Sequence, residues 1–248
     1  MYTKTQGIVL RETNYKDADK ILTVLTADGG KRTVKARGCR RKGSRLSAAV
    51  QLLAYSEMTL FEYRDYYTLN ESETIEEFRG LRKELALLSL GSFFAEVTEA
   101  VAQEGVTQSA LLSLLLNSLY ALDKLQKPPA LVKAAFELRL MCLAGYEPLL
   151  DACALCGNPQ PEDARLSLTD GVLHCAACRD NLAPGGISLP VAPLPLAALR
   201  RIVYGDPKRL FSFTMDEESL SQLGSLTEAF LLTQLERGFQ SLDYYKQF

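Results

Sequence analysis

The plainest chemistry in this chain belongs to four cysteines. They stand in CALCGNPQPEDARLSLTDGVLHCAAC as Cys153-x-x-Cys156 and Cys175-x-x-Cys178, with eighteen residues between the pairs. Each C-x-x-C offers two thiolates from one turn, and two such turns complete a tetrahedron around Zn²⁺. All four ligand positions are cysteine, so no coordination site is left for water or substrate, and the expected role of the zinc is structural. Residues 166–173, LSLTDGVL, fit the hairpin of a zinc ribbon, with Asp170-Gly171 at its bend. The metal would pin an insertion, residues 150–185, that has little core of its own. A redox dithiol is the rival reading of one C-x-x-C. His174, the chain's single histidine, is the rival ligand, although its place next to Cys175 makes joint ligation awkward. Cys142 sits among apolar helical residues and reads as a buried thiol. Cys39 lies among cations that would lower its pKa, yet no chemistry is expected of it.

A second feature is electrostatic. Residues 35–45 read KARGCRRKGSR in a chain whose formal net charge is -2. Residues 31–56 hold eight basic side chains and no acidic one. The first 80 residues carry 14 Lys+Arg against 11 Asp+Glu, and the remainder 14 against 19. A local positive field attracts a polyanion even when the total charge is slightly negative. The candidate phosphate contacts are Lys35, Arg37, Arg40, Arg41, Lys42 and Arg45. Most charge runs are simply solvated loops. This one is dense, unmixed and next to a strand pattern, which favours a binding surface.

Signs of catalysis are sparse. One histidine beside the cysteines leaves little for a Ser-His or Cys-His arrangement. No G-x-x-x-x-G-K-[ST] or G-x-G-x-x-G is present. Gly29-Gly30 precedes a strand pattern rather than a helix. The adjacent acids Glu76-Glu77 and Glu217-Glu218 sit near helix starts, where the helix dipole accounts for them. The expectation is a protein that is not an enzyme.

The elements that must position these groups change character near residue 80. Strands are expected at 5–13, 20–26, 31–38, 58–63 and 67–74, with turns at Ala27-Asp-Gly-Gly30 and Arg64-Asp65. In the third, Val34 and Ala36 point one way and Lys35 and Arg37 the other. Five short strands in about 80 residues fit a small closed barrel such as an OB-fold, with an SH3-like barrel or an open sheet as alternatives. Helices are expected at 81–102, 109–125, 130–144, 194–204 and 217–244, with Pro128-Pro129 and Pro148 as breaks. Residues 105–122 lack charge but include Gln108 and Asn117, so they read as a core helix rather than a membrane span. The fold class expected is α+β multidomain: a β-barrel domain at 1–79 and an α-helical domain at 80–248 that contains the insertion. The first twenty residues are charged throughout, with no signal-peptide core. The expected compartment is therefore the cytoplasm, where thiols stay reduced.

The chain also resembles the bacterial RecO family of DNA repair proteins. The resemblance rests on Gln6-Gly-Ile-Val-Leu-Arg11 with Tyr15, Asp19, Lys20 and Ile21, and on Val34-Lys-Ala-Arg-Gly38 and the basic residues after it. Phe136-Glu-Leu-Arg-Leu140 and Gly145-Tyr-Glu-Pro148 precede the first C-x-x-C and extend it over nearly the full length. It implies an OB-fold domain, a helical domain and a zinc-ribbon-like element. It also implies binding of single- and double-stranded DNA, annealing of complementary strands and a nucleoid-associated location. Implied partners are RecR and the C-terminal tail of single-stranded-DNA-binding protein, working together in loading recombinase. That tail would want an apolar pocket rimmed by cations, for which Lys124, Lys127, Lys133 and Arg139 are candidates. Single strands would lie on the cations, with Tyr15, Tyr63, Tyr66 and Tyr67 as stacking candidates. A protein-interaction scaffold with an incidental basic stretch, or a dithiol oxidoreductase, would be the alternatives.

Overall fold

Alternating side chains in the first 80 residues close a five-stranded barrel. The strands of the computed structural model are β1 (Tyr2–Tyr15), β2 (Asp19–Thr26), β3 (Gly30–Ala36), β4 (Tyr55–Tyr63) and β5 (Tyr66–Glu76). The structure describes residues 1–64, 66–181 and 186–248. Asp65 of the expected turn and the last four residues of the expected insertion lie outside them. Barrel order is β1-β2-β3-β5-β4, closed by pairing of β1 with β4. The β3–β5 pairing is parallel and the others are antiparallel. This is the five-stranded barrel of an OB-fold.

β1 serves two neighbours, pairing with β4 through residues 2–8 and with β2 through residues 7–15. Gly7 stands where the two pairings overlap. A Cβ there would meet Val24 Cγ1 at 2.6 Å, so the close approach needs glycine. An irregularity between Val9 and Arg11 bends the strand further. The inward positions Val9, Leu22, Val24, Val34, Ala36, Met58, Leu60 and Leu69 form the barrel core. Fully burying a side chain such as Leu60 contributes roughly 1.5–3 kcal/mol.

The helices are α1 (Leu85–Val101), α2 (Ser109–Asp123), α3 (Pro129–Leu143), α4 (Pro193–Tyr204), α5 (Glu217–Leu235) and α6 (Gln240–Tyr245). The chain forms two compact units, one of Met1–Gln126 with Phe239–Phe248 and one of Lys127–Gly238. The change of period near residue 80 falls between β5 and α1, inside the first unit. There the segment after α1 docks on the β2–β3 turn. Lys31 N–H donates to the Gln103 carbonyl at 2.9 Å and Gly105 N–H to that of Gly29 at 3.1 Å. Gly30 has φ +59°, and a Cβ on it would lie 2.2 Å from the Gln103 oxygen.

One expected helix is two. The helix predicted over 217–244 ends at Leu235, because Glu236 adopts the left-handed conformation (φ 50°) and Gly238 follows. The chain re-enters through Phe239, which is buried in the first unit with its ring edge-on to Phe93 at 5.9 Å. At the other end of α5, the Asp216 carboxylate caps the helix by accepting the Ser219 N–H.

In the second unit α3 packs along α5, and a small sheet holds the cysteines. Its strands are β6 (Leu149–Cys153), β7 (Arg165–Ser167), β8 (Val172–His174) and β9 (Ser188–Pro190), in the order β6-β8-β7-β9. β7 and β8 form the predicted hairpin, turned by Gly171 at φ +67°.

Candidate nucleic-acid interface and metal centre

The cationic side chains leave the barrel on the connection between β3 and β4, and its start is tied to the β1–β2 turn. Asp19 at the head of β2 accepts the Gly38 N–H at 2.8 Å and pairs with Lys35 Nζ at 3.3 Å. Arg40 N–H donates to the Ala18 carbonyl at 3.0 Å. The Gly38 N–H holds the Asp19 carboxyl below its ordinary pKa, with Lys35 adding to it against the opposing effect of burial. Cys39 follows Gly38 into the barrel core. Burial raises its thiol pKa, so the lowering expected from the neighbouring cations is not realised.

The eight basic residues divide by their surroundings. Lys31 Nζ donates to the Glu99 carbonyl at 3.1 Å, while the Arg32 guanidinium lies 5.1 Å from the Tyr67 ring and 3.8 Å from Asp28. Lys35 is committed to Asp19 in a partly buried pair. Arg37, Arg40, Arg41, Lys42 and Arg45 are exposed, and among the described residues none of them pairs with a carboxylate. The Arg40 guanidinium reaches the Asp17 carbonyl at 3.4 Å. Five unneutralised cations on nine consecutive residues thus share one connection. On β3 itself Val34 and Ala36 face inward and Lys35 outward, as the alternation required. Arg37 lies just past the strand's end.

Aromatic rings lie near Lys35, Arg37 and Leu46. Tyr15 lies beneath Lys35 Nζ at 4.8 Å and Lys16 Nζ at 5.5 Å. Tyr63 and Tyr66 are exposed at the β4–β5 turn, with Arg64 over the Tyr63 ring at 5.2 Å. Tyr67 is engaged with Arg32 and packs on the barrel core, so it is the least available of the four stacking candidates. Sequence reasoning missed Tyr2 and Phe61, whose rings lie 5.2 Å apart on the barrel surface. A signal existed: with Met58 and Leu60 inward, Phe61 falls on the outward register, where a large apolar ring is unusual.

The four cysteines converge. Cys153 ends β6, and Gly157, at φ +72°, turns the chain so that its N–H reaches the Cys153 carbonyl at 2.9 Å. Cys175 follows β8, and the Cys178 N–H reaches the Cys175 carbonyl at 3.1 Å. All four Sγ atoms lie within 4.8 Å of one another, and the Cys156–Cys175 pair is 3.7 Å apart. The edge of a tetrahedron with Zn–S bonds of about 2.3 Å is roughly 3.8 Å, so the sulfurs fit such a centre. Burial opposes ionisation of Cys153, but the backbone N–H groups of Cys156, Leu155 and Cys175 outweigh it and bring its pKa to about 6. The sulfurs of Cys175 and Cys156, helped by burial, push Cys178 up to about 12. Crowded thiols resist carrying several negative charges without a cation among them. His174 is buried beside this group but is not a member of it. Cys142, raised to about 12 by burial first and Glu147 second, has the character of an inert thiol.

The helix cations considered for a peptide tail are largely committed. Lys124 pairs with Asp123 at 2.7 Å and Glu76 at 3.4 Å. Lys133 is buried between Glu137 at 2.6 Å and Glu228 at 2.9 Å. Arg139 donates to the Val203 carbonyl at 2.9 Å. Among the described residues no helix is long and apolar enough to cross a membrane.

Two sequence-family models match the chain: Recombination protein O N terminal over residues 1–78 and Recombination protein O C terminal over residues 82–243. Among curated relatives, the DNA repair protein RecO of Acetivibrio thermocellus is 35% identical, covering 99% of this chain and 96% of that protein. Its counterpart in Symbiobacterium thermophilum is 32% identical over 96% of this chain and 94% of that protein. That of Alkaliphilus metalliredigens is 31% identical, with 100% of both covered.

Proposed function

The chain belongs to the RecO family of DNA repair proteins, and from that premise we propose that it binds DNA without sequence preference and anneals complementary strands. The observation that carries this reading is the set of exposed, carboxylate-free cations Arg37, Arg40, Arg41, Lys42 and Arg45 on one connection of an OB barrel. Such groups neutralise phosphates and release counterions, which gives affinity with no base readout. Lys35 takes a lesser part, because Asp19 already holds it.

Annealing requires no bond to be made or broken by the protein. Two strands repel through their phosphates. A cationic surface reduces that repulsion and, holding neither strand by its sequence, lets them slide into register. The reading is therefore of a mediator rather than an enzyme. Zinc, held by Cys153, Cys156, Cys175 and Cys178, would supply a fixed crosslink for the small sheet of the second unit. Convergence of all four sulfurs on one centre argues against the dithiol alternative. RecR and the acidic tail of single-stranded-DNA-binding protein belong to the same proposal, as partners in loading recombinase.

The test is annealing of complementary oligonucleotides, bare and coated with single-stranded-DNA-binding protein, by the protein and by its Arg40→Ala, Arg41→Ala, Lys42→Ala variant. The reading expects annealing by the protein and a marked loss in the variant. Equal annealing by both would contradict it.

A further inference from the structure

Four sulfurs converge on one centre, but the strand that carries the first of them has little support from its own sheet. β6 lies at the sheet's edge, with β8 as its strand neighbour. Their pairing is irregular: Leu149 faces Val172 and Cys153 faces Leu173, with a register shift between them. An edge strand leaves one row of backbone N–H and C=O groups without a ladder partner. Here side chains of α4 supply the partners. Arg200 and Tyr204 stand four residues apart on one face of that helix. The Leu150 N–H donates to the Tyr204 hydroxyl at 2.8 Å. Arg200 Nε donates to the Leu150 carbonyl at 2.6 Å, and its Nη2 to the Asp151 carbonyl at 3.1 Å.

The same guanidinium reaches across the loop. Its Nη2 also donates to the Pro159 carbonyl at 2.7 Å. Leu150 and Asp151 lead into the first C-x-x-C turn and Pro159 leads out of it. Arg200 therefore holds both arms of the loop that bears Cys153 and Cys156. Inside that loop the Cys153 N–H donates to the Asn158 carbonyl at 2.8 Å, which brings the arms together a second time. All three acceptors of Arg200 are neutral carbonyls, so shape rather than charge pairing selects it. A planar fork of fixed donors can meet acceptors on two chain segments at once, where a flexible ammonium offers one nitrogen. Arg165 is bonded differently in the same sheet. It ties β7 to β9, donating to the Ser188 hydroxyl at 3.0 Å and the Ser188 carbonyl at 2.6 Å, and those bonds reach neither cysteine turn.

Resting on the zinc reading above, we propose that Arg200 is a positioning residue of the metal centre. Its guanidinium presets the separation of the loop's two arms, so that the sulfurs of Cys153 and Cys156 stand ready to ligate before the ion arrives. An ion that met a loose loop would have to order it, and that entropy would be subtracted from its affinity. α4 is thereby part of the metal site although it carries no ligand.

The experiment uses the full chain and reads zinc affinity by competition with a chromophoric chelator. Removing an outer partner of a metal's ligands typically costs about 10–100-fold in metal affinity, and Arg200→Ala is expected to fall in that range. Arg200→Lys keeps the charge and the stem, and should fold where the alanine variant does not. It too should bind zinc more weakly, since one ammonium cannot serve both arms. Arg165→Ala removes a guanidinium from the same sheet and should keep its zinc affinity even where thermal stability falls. A second readout is the initial alkylation rate of each cysteine in the zinc-loaded proteins, resolved by mass spectrometry at sub-stoichiometric reagent. In the Arg200 variants the rate should rise at Cys153 and Cys156 and stay unchanged at Cys175 and Cys178. Unchanged zinc affinity in both Arg200 variants overturns the positioning role and leaves the metal reading standing. So does an equal rise at all four cysteines, or a matching loss of affinity in Arg165→Ala, because either marks general loosening of the sheet. No zinc bound by the unaltered chain overturns both readings.

Discussion

The Asp19 carboxylate accepts the Gly38 backbone N–H at 2.8 Å, and this hydrogen bond fixes where the cationic connection leaves the barrel. The same carboxylate occupies Lys35, so a single acid both orients the cationic segment and withholds one cation from it.

The two roles separate by substitution. Asp19→Asn keeps an oxygen for Gly38 and frees Lys35. Single-strand affinity should rise at low salt, and the slope of log K against log salt should steepen by about 0.7, one further phosphate contact. An unchanged slope in a salt titration would count against that role for Lys35.

The anchor also has a defined pH range. Because the folded carboxyl of Asp19 has a lowered pKa, its stabilising contribution is complete above the ordinary carboxylate range. It is lost only as pH falls through the depressed folded value. DNA affinity measured from pH 8 down to about pH 5 should show no step that Asp19→Asn removes.

The second unit contains a titration of opposite sign. Glu137 is wholly buried on α3, next to Lys133 and accepting the Thr227 hydroxyl at 2.7 Å. Burial raises its pKa from 4.5 to about 6, with Lys133 opposing. The folded protein therefore binds the proton more tightly than the unfolded chain does. Stability from this group is greatest below the unfolded value and falls as pH rises through about 6, by about 2 kcal/mol. Glu137→Gln should abolish that part of the slope in denaturant unfolding followed from pH 4 to 7.

Metal should be present at one zinc per chain by elemental analysis. Cys156→Ser, or a strong chelator, should remove it and lower thermal stability. Single-strand affinity should survive. Loss of DNA binding in step with zinc would contradict a purely structural metal.

Gly30→Ala should destabilise by more than about 1 kcal/mol in chemical denaturation, since the site combines a positive φ with an oxygen 2.2 Å from the new Cβ. Gly43→Ala, also at positive φ (78°) but with open space around it, should cost less.

Much of this was legible in the sequence, for physical reasons. Alternation exposed the barrel strands because one face of each is buried, and C-x-x-C spacing exposed the cluster of four sulfurs because a tetrahedral arrangement restricts the turns between ligands. The break at Glu236 was hidden, because a non-glycine residue in the left-handed conformation leaves little compositional trace. Partnering was hidden as well. Lys35 and Arg37 differ little in sequence context, yet Asp19 neutralises only the first, through a contact that forms when β2 and β3 pair. The Tyr2–Phe61 pair needed the β1–β4 register, which joins residues almost 60 apart.

The central claim is that the unpaired cations of the β3–β4 connection hold DNA by its phosphates. The slope of log K against log salt for a single strand tests it most directly, compared between the protein and its Arg40→Ala, Arg41→Ala, Lys42→Ala variant. Three lost phosphate contacts predict a slope shallower by about 2 and a lower affinity at every salt concentration. Identical slopes and affinities would contradict the claim.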